Sequence, residues 1–329
     1  MSPILRKLLG ERVACWVECC RFFAYDRMRF LRYSGCFANA DKYAQRAKII
    51  RYYHIIEKGL TMPNRHLAFG MEVVRTLIGL IDRYESRWGK DDKQVEHAVA
   101  VILSYQKLHE SCAKDVFAEK MDFWQCVCEF CNRHSEVPPS CQPHVAFEAF
   151  YSHCTSQFPA FARARHVVRH YSSKAVDIDD IKQAVDIANT SPTACNRQHC
   201  HVYCVTDKRQ MNQLLDLQGG SRGFGHLADK LLVVTSDLAC TVDIRERNDV
   251  YTNGGLFVMQ LCNALFYYKI AYCILNWTQP PKNDVKIRKI LPLKPSEEVI
   301  VILTCGIAPQ EFEVAASPRK DVSEVFTVL

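Results

Sequence analysis

The hydrophobic pattern of this chain changes near residue 160, and that change limits the folds open to it. Residues 42–111 carry apolar positions at helical spacing, with Gly and Pro mainly between the runs, which predicts an all-helical region. Beyond residue 160, helical runs alternate with short β-branched and aromatic runs. The Pro-, Ser- and His-rich stretch 137–158 separates the two patterns. We therefore predict a helical domain over residues 1–158 and a domain of helices and strands over 159–329.

Four strands and a long apolar helix are predicted in the second domain. The strands cover residues 200–206, 230–235, 271–277 and 298–305, and the helix covers residues 249–270. Because this helix is apolar nearly all round, we expect it to be buried at the centre of the domain. Its Gly254-Gly255 pair would permit a close approach to another helix. The strand over 200–206 is also expected to be buried.

Composition excludes several classes of function. With 329 residues, 48% of them hydrophobic, the chain can bury a sizeable core, yet no run approaches the ~18 apolar residues of a membrane span. Charged residues interrupt every apolar run near the N-terminus, so no signal peptide is predicted. A net charge of +6 suits an anionic ligand better than nucleic acid. Seventeen scattered cysteines are typical of buried thiols in a reducing cytosol, so a cytoplasmic protein is expected.

Residues 1–33 form a helix-prone segment in which arginines alternate with large apolar side chains. Such a basic amphipathic helix either lies on a membrane surface or packs on its own domain or a partner subunit. The second interpretation is favoured, because basic helix faces are usually just solvated.

A second helical segment carries the group His54-Ile55-Ile56-Glu57-Lys58-Gly59. His54 and Lys58 lie one helical turn apart, and Gly59 is a candidate C-terminal cap. The group is either functional or a capped helix end with a local ion pair.

One set of residues has metal-ligand spacing. Cys128-x2-Cys131 is followed by Cys141-x2-His144, and two such pairs would supply four ligands to a tetrahedral zinc. The run CVCEFC is also typical of an apolar helix turn, and the spacing between the pairs matches no standard template. The absence of a metal is favoured, and a zinc-stabilised interaction module is kept as a hypothesis.

Two segments of the second domain carry dense sets of hydrogen-bonding groups. Residues 163–171, RARHVVRHY, contain three arginines and two histidines, and Arg165 and Arg169 would lie one turn apart in a helix. This run either clamps a phosphate or is a solvated basic face. Residues 191–199, SPTACNRQH, form a polar loop between a helix over 180–189 and the first predicted strand. The chain has no P-loop, GxGxxG, GxSxG or HExxH motif.

Taken in order, these features resemble the nitroreductase family of FMN enzymes. RHVVRHY and SPTACNRQH correspond to family motifs of the form RRSxRxF and PSxxNxQPW, and a Gly-Gly helix, a strand ending LNW and a late Arg-Lys pair follow. The resemblance covers roughly the C-terminal half. The N-terminal half, with YYHIIEKGL, is similar to the helical extension of nitroreductase-like proteins encoded among bacterial polysaccharide-synthesis genes. The resemblance implies an α+β fold with three α/β/α layers around a mixed, largely antiparallel sheet.

The resemblance also implies an FMN site and the residues that form it. The phosphate and ribityl chain would be bound by Arg165, His166, the backbone of Val167, Arg169, Arg319 and Lys320. The isoalloxazine or ribityl side would be lined by Ser191, Pro192, Thr193 and Asn196, and the strand end Ala271 to Asn276 would pass the ring with Cys273 or Ile274 nearest the reactive nitrogen. The flavin itself carries the chemistry, so no catalytic side chain is nominated. Part of this set comes from the second subunit in the family, which implies a homodimer.

Several positions depart from the family pattern. Val167 stands where Ser is expected, and Arg197, His199 and Cys200 stand where the family often has a small residue followed by Pro-Trp. These departures concern the substrate face rather than the phosphate end. The leading hypothesis is an FMN-dependent oxidoreductase that takes a hydride from NADH or NADPH and passes it, in a ping-pong cycle, to a nitro- or quinone-like acceptor or an intermediate of polysaccharide assembly. The alternative is a flavin-binding or degenerate scaffold whose helical half docks a biosynthetic partner.

Overall fold

The computed structural model describes residues 11–33, 42–139, 142, 144–241 and 244–329. The described chain forms two compact units, the first containing 11–61, 65–142 and 315–329 and the second containing 62–64 and 144–314. This division differs from the predicted domains 1–158 and 159–329 in two places. The boundary lies before residue 144, because residues 144–146 pair with a strand near residue 312, and the C-terminal segment from Ala315 belongs to the helical unit.

The first unit is helical, as predicted. Its helices are α1 (Glu11–Tyr33), α2 (Lys42–Leu60), α3 (Met71–Trp88), α4 (Lys93–His109), α5 (Ala113–Val116) and α6 (Met121–Asn132). The apolar faces of α2, α3, α4 and α6 form one core around Ile56, Ile81, Ile102 and Phe130. Residues 1–10 of the predicted N-terminal segment lie outside the described residues. None of the helices in the described ranges is long and apolar enough to cross a bilayer.

The end of α2 differs from the prediction. The helix continues through Gly59 to Leu60, and it ends where the backbone N–H and the hydroxyl of Thr61 both donate to the carbonyl of Lys58, at 3.1 and 3.0 Å. Gly59 is therefore not the cap. A Cβ at this position would overlap the ring of Phe69, so the close approach of that ring requires glycine.

The second unit contains the strands. Its elements are β1 (His144–Ala146), α7 (Phe147–Tyr151), α8 (Phe158–Ala164), α9 (Ile178–Ala188), β2 (Cys200–Val205), α10 (Lys208–Gln218), β3 (Lys230–Asp237), α11 (Asp249–Tyr267), β4 (Ala271–Asn276), α12 (Pro281–Ile290), β5 (Glu297–Gly306) and β6 (Glu311–Glu313). The short helix α13 (Val322–Val325) follows in the first unit.

The main sheet has the strand order β2-β3-β5-β4, and every pairing in its described residues is antiparallel. Strands β1 and β6 form a separate antiparallel pair. The α+β fold and the largely antiparallel sheet are therefore confirmed. Six consecutive residues of β3, Leu231 to Ser236, are buried, which requires cover on both faces of the sheet. Helix α11 packs on the sheet, and α9 packs on α11.

Two expectations of burial were wrong. Strand β2 lies at an edge of the sheet and exposes His201 and Cys204, because it has a strand neighbour on one side alone. Helix α11 is buried along one side, where a Cβ on Gly254 would lie 2.7 Å from Cγ1 of Ile300. Its other side exposes apolar residues, namely Tyr251, Leu256, Met259 and Tyr267.

The packing at Gly59 predicts opposite effects of alanine at two glycines inside helices. Gly59→Ala should lower the free energy of unfolding by about 1–3 kcal/mol, because the ring of Phe69 must move. Gly79→Ala in α3 should raise it by up to about 1 kcal/mol, because the nearest atom is the mobile end of Arg83 at 3.8 Å and alanine favours the helix. Urea denaturation of both variants tests this, and equal shifts in the same direction would contradict it.

Candidate functional site

The basic segment of the second unit is extended, although Arg165 and Arg169 were considered as a helical pair. Helix α8 ends at Ala164, and the following residues run beside the edge strand β4. The N–H of Val168 donates to the carbonyl of Tyr272 at 2.9 Å, and the hydroxyl of Tyr171 lies 2.8 Å from that of Thr304 in β5. These bonds hold the segment against the sheet and fix the backbone that carries the arginines.

Each of the two arginines of this segment, Arg165 and Arg169, has a buried Nε that makes no hydrogen bond to any described residue. Arg169 is 9% exposed, its Nε is buried without a hydrogen-bond partner, and it forms no ion pair with any described residue. Nη1 of Arg165 donates to the hydroxyl of Tyr272 at 2.8 Å, but its buried Nε has no partner in the part of the chain that the structure describes. His166 and Val167 between them are half-buried, and Val167 packs on the apolar core. A buried guanidinium without a carboxylate calls for an anion from outside the chain.

The polar loop 191–199 has an unusual backbone. It contains a short 3-10 turn, Ala194–Asn196, and Cys195, Asn196 and Gln198 have φ values of 51°, 54° and 50°. Asparagine tolerates this left-handed region, whereas Cys195 and Gln198 are strained in it. The N–H of Gln198 donates to Oγ1 of Thr193 at 3.0 Å, which holds the turn in place. Strain of this kind persists only where the surroundings fix the loop, and it is common at binding sites.

A charged bridge fixes the middle of this loop. Nη1 of Arg197 donates to the carboxylate of Glu246 at 2.7 Å and to the carbonyl of Cys240 at 2.8 Å. Its Nε donates to the carbonyl of Ala194 at 2.9 Å. At the start of the loop the hydroxyl of Ser191 is buried and has no partner among the residues that the structure describes. Pro192 joins it to Thr193, so the predicted residues of this loop form one connected, fixed group.

The structure does not bring the two predicted groups together within one chain. The loop 191–199 leads into Cys200, which pairs with Ser236 near the start of β5 on the β2 side of the sheet. The arginines lie beside Tyr272, which pairs with Cys305 near the end of β5 on the β4 side. The groups are at diagonal corners of a four-stranded sheet, and three strand spacings alone amount to about 14 Å.

Strand β4 places Cys273 and Ile274 on opposite faces of the sheet. Cys273 is buried, and the hydroxyl of Thr304 lies 3.5 Å from its carbonyl. Ile274 is 37% exposed, so its side chain is the accessible one of the two. Asn276 at the strand end is exposed, and its carbonyl accepts a hydrogen bond from Gln218 at 3.1 Å.

Of the residues that depart from the family pattern, His199 is buried, whereas Val167, Arg197 and Cys200 are half-buried. Nδ1 of His199 lies 3.3 Å from the amide nitrogen of Asn253, and its buried Nε2 has no partner within the described residues. Burial lowers the pKa of His199, and the nearby cation Arg197 adds to this, so the imidazole is neutral. Burial also raises the pKa of the Cys200 thiol to about 11, so it is not an activated nucleophile.

The zinc hypothesis gains no support from the described residues. Cys131 of α6 is buried in the core of the first unit, and burial raises the pKa of its thiol to about 12. His144 in β1 lies 3.3 Å from the carboxylate of Glu311. Cys141 lies outside the described residues, and within them no group of His, Cys, Asp and Glu is arranged to hold a metal ion.

The last predicted pair, Arg319 and Lys320, belongs to the first unit. Both line a pocket of about 290 Å³ whose walls include Ile50 and Tyr53. Nη1 of Arg319 donates to the carbonyl of Ser317, which closes a tight turn around Pro318.

Glu57 of the YYHIIEKGL group anchors this turn. Its fully buried carboxylate accepts from the N–H of Ser317 at 3.0 Å and lies 3.2 Å from Nδ1 of His54 and 3.1 Å from Nε2 of His97. Burial alone would raise the pKa of Glu57, but the hydrogen bonds from His54, His97 and Ser317 outweigh it and lower the pKa far below the ordinary value of 4.5. The local ion pair expected at this helix end involves His54, and Glu57 also contacts His97 and the C-terminal segment. His97 and Ser317 are distant in sequence, so no local pattern could indicate this cluster.

The lowered pKa of Glu57 predicts a pH-dependent effect of Glu57→Gln. The charged carboxylate stabilises the folded state above its unfolded pKa near 4.5, and this contribution is lost as the pH falls further. The variant should therefore lose about 1–3 kcal/mol of unfolding free energy near pH 7, and the difference from the parent should shrink below pH 4.5. Urea denaturation at several pH values measures it, with exposed Glu119→Gln as the control. A difference that stays constant from pH 7 to pH 3 would contradict the assignment.

Comparison with known proteins finds a family model that matches part of this unit. The sequence model of the Nitroreductase family matches residues 162–221, a range that contains both the basic segment and the polar loop. The resemblance drawn from RHVVRHY and SPTACNRQH is thus confirmed over this range. None of the curated proteins is significantly similar to the chain.

Several solved structures are similar to about half of the chain. A nitroreductase family protein from Streptococcus pneumoniae TIGR4 has 20% sequence identity, covers 53% of this chain and all of its own, and has a TM-score of 0.47. An FMN-dependent nitroreductase from Clostridium difficile R20291 has 18% identity, covers 52% of this chain and 98% of its own, and has a TM-score of 0.44. A nitroreductase family protein from Clostridium difficile 630 has 19% identity, covers 52% of this chain and 97% of its own, and also has a TM-score of 0.44.

Proposed function

We propose that the second unit, part of which matches the Nitroreductase family, binds FMN and acts as an oxidoreductase that uses NADH or NADPH. The observation that carries this proposal is the buried guanidinium of Arg169, which has no anionic partner among the described residues. Moving a cation out of water costs several kcal/mol unless a counter-charge compensates. A flavin phosphate would supply that charge.

The predicted residues fit the chemical groups of FMN. Arg165 and Arg169 each have a buried, unpartnered Nε, and a phosphate dianion accepts several charge-assisted hydrogen bonds. The unpartnered hydroxyl of Ser191, with Thr193 and Asn196 in the fixed loop, suits the polar atoms of the ring and ribityl chain. When bound, FMN supplies a centre that accepts a hydride and donates it again. In this proposal the residues of the chain bind and orient the cofactor, and β4 near Cys273 and Ile274 passes its ring.

Further phosphate contacts are proposed for Arg319, Lys320, His166 and the backbone of Val167, on the strength of the family resemblance. The same resemblance supports a ping-pong cycle, a cytoplasmic location and an acceptor in polysaccharide synthesis.

We also propose that a second copy of the chain completes the site. The arginines and the polar loop occupy diagonal corners of one sheet, so one chain alone does not surround a single ligand with both. The exposed side of α11 carries Leu256 at 46% and Met259 at 45% exposure, and a Cβ on Gly255 would meet no atom within 4 Å. An apolar helix face with a bare glycine suits close packing against its own copy.

The unpaired charge of Arg169 gives the proposal a sharp test. Arg169→Met should leave the unfolding free energy of flavin-free protein unchanged or higher, because an uncompensated buried cation is removed. It should at the same time weaken FMN binding by at least about tenfold, because a charge-assisted hydrogen bond is lost. Fluorescence titration with FMN and urea denaturation measure the two effects, and exposed Arg163→Met is the control.

The absorption spectrum of the purified protein separates the remaining alternatives. A flavin spectrum that bleaches on anaerobic addition of NADH or NADPH supports the oxidoreductase. Bound flavin that neither nicotinamide reduces favours the scaffold. Protein that never takes up FMN, or an Arg169→Met variant that binds it as tightly as the parent, would overturn the flavin site.

The proposed dimer predicts a linked loss of assembly and cofactor. Leu256→Asp introduces a charge on the exposed side of α11, so it should shift the protein from dimer to monomer and release FMN. Light scattering after gel filtration measures the mass, and the flavin-to-protein absorbance ratio measures occupancy. Val285→Asp changes an equally exposed apolar residue of α12 and should alter neither. A monomeric variant that keeps its flavin would contradict the shared site.

A further inference from the structure

A glycine-rich segment of the second unit encloses a pocket that the flavin site does not use. Residues 219–226, GGSRGFGH, follow α10 and, with the last turns of that helix, line a cavity of about 440 Å³. Its polar lining residues are Asn212, Asp216, Ser221, Arg222 and His226. Four glycines within seven residues mark this segment in the sequence.

The polar side chains of this pocket are accessible to a ligand, since Asn212, Asp216, Arg222 and His226 are exposed. Asp216 and Arg222 line the same cavity, yet neither forms an ion pair with any residue in the described ranges. Ser221 is 7% exposed, and its hydroxyl has no hydrogen-bond partner in the same ranges. An acid and a base that remain apart in one pocket are available to a ligand with both donor and acceptor groups.

The glycines permit this arrangement. A Cβ on Gly225 would lie 2.7 Å from Oγ of Ser221, so only glycine leaves that hydroxyl in place. Gly223 has a φ of 87°, and a Cβ there would lie 3.2 Å from Sδ of Met62, which covers the loop. The N–H groups of Phe224 and Gly225 both donate to the carbonyl of Ser221, at 3.2 and 2.8 Å, and close the turn.

Hydrogen bonds from neighbouring elements hold the pocket in shape. Nε2 of Gln218 donates to the carbonyl of Asn276 at the end of β4, and Oε1 of Gln218 accepts from the N–H of Gly220 at 2.6 Å. Asn283 of α12 donates to the carbonyl of Leu217 at 3.0 Å. A loop fixed in this way loses little entropy when a ligand binds.

We propose that this pocket binds a phosphorylated sugar. The guanidinium of Arg222, the hydroxyl of Ser221 and the imidazole of His226 are donors for a phosphate. The carboxylate of Asp216 and the amide of Asn212 accept hydrogen bonds from sugar hydroxyls. Asp216 would repel a bare anion, so the pocket favours a phosphate that carries a hydroxylated sugar. Such a group belongs either to a dinucleotide or to a free sugar phosphate.

Calorimetric titration of the full chain, saturated with FMN, tests the proposal with three probes. Ribose 5-phosphate represents the free sugar phosphate, 2′-phospho-ADP-ribose represents the dinucleotide, and inorganic phosphate is the anion alone. At least one of the first two should bind at least about tenfold more tightly than inorganic phosphate, and the tighter of them identifies the source. Arg222→Gln should weaken that binding by at least about tenfold, while Arg209→Gln on the exposed side of α10 should not change it.

A second variant separates the sugar from the phosphate. Asp216→Asn should weaken the binding of the sugar phosphate, because the carboxylate that accepts from the sugar hydroxyls is lost. It should strengthen the binding of inorganic phosphate, because a repulsive charge is removed. The proposal is overturned if neither phosphorylated sugar binds to folded protein, or if Arg222→Gln binds as the parent does. Flavin content is read separately by absorbance and should be unchanged in both variants, so failure of the flavin proposal and failure of this one are distinguishable.

Discussion

The strongest physical constraint in the second unit is a buried cation, Arg169, which has no ion-pair partner among the described residues. The backbone of its neighbour Val168 is held against β4 by the hydrogen bond to the carbonyl of Tyr272. A chain under selection for stability alone would replace such a residue with an apolar one. This unpaired charge is the reason for proposing an anionic ligand here, and the distance to the polar loop at the opposite corner of the sheet is the reason for proposing a second chain.

Much of this arrangement follows from local sequence. The helices of the first unit, the four strands of the main sheet and the polar loop all lie where hydrophobic periodicity and turn residues indicate. The β-branched run 200–206 could not reveal that β2 is an edge strand, because neighbours are decided by the rest of the sheet. The apolar pattern of α11 could not show which side of the helix is buried, because apolar residues occur on both its buried and its exposed side.

Other features depend on residues that are far apart in sequence. Gly59 looks like a helix cap until the ring of Phe69 is placed against it. Glu57 looks like part of a local ion pair at a helix end until His97 and Ser317 are placed beside it. The basic run from Arg165 has the spacing of a helix, but hydrogen bonds to β4 and β5 hold it extended. In each case a long-range contact outweighs local preference.

The path of the chain between the two units has a consequence for its synthesis. The segment from Ala315 belongs to the helical unit, and Glu57 receives its bond from Ser317, which is made 260 residues later. In a chain not yet synthesised as far as residue 317, Glu57 lacks the hydrogen bond from the N–H of Ser317. The residues of the helical unit that are made first therefore have their contacts completed among the last. A truncated or stalled chain would carry a helical unit in which the carboxylate of Glu57 lacks its hydrogen bond from Ser317.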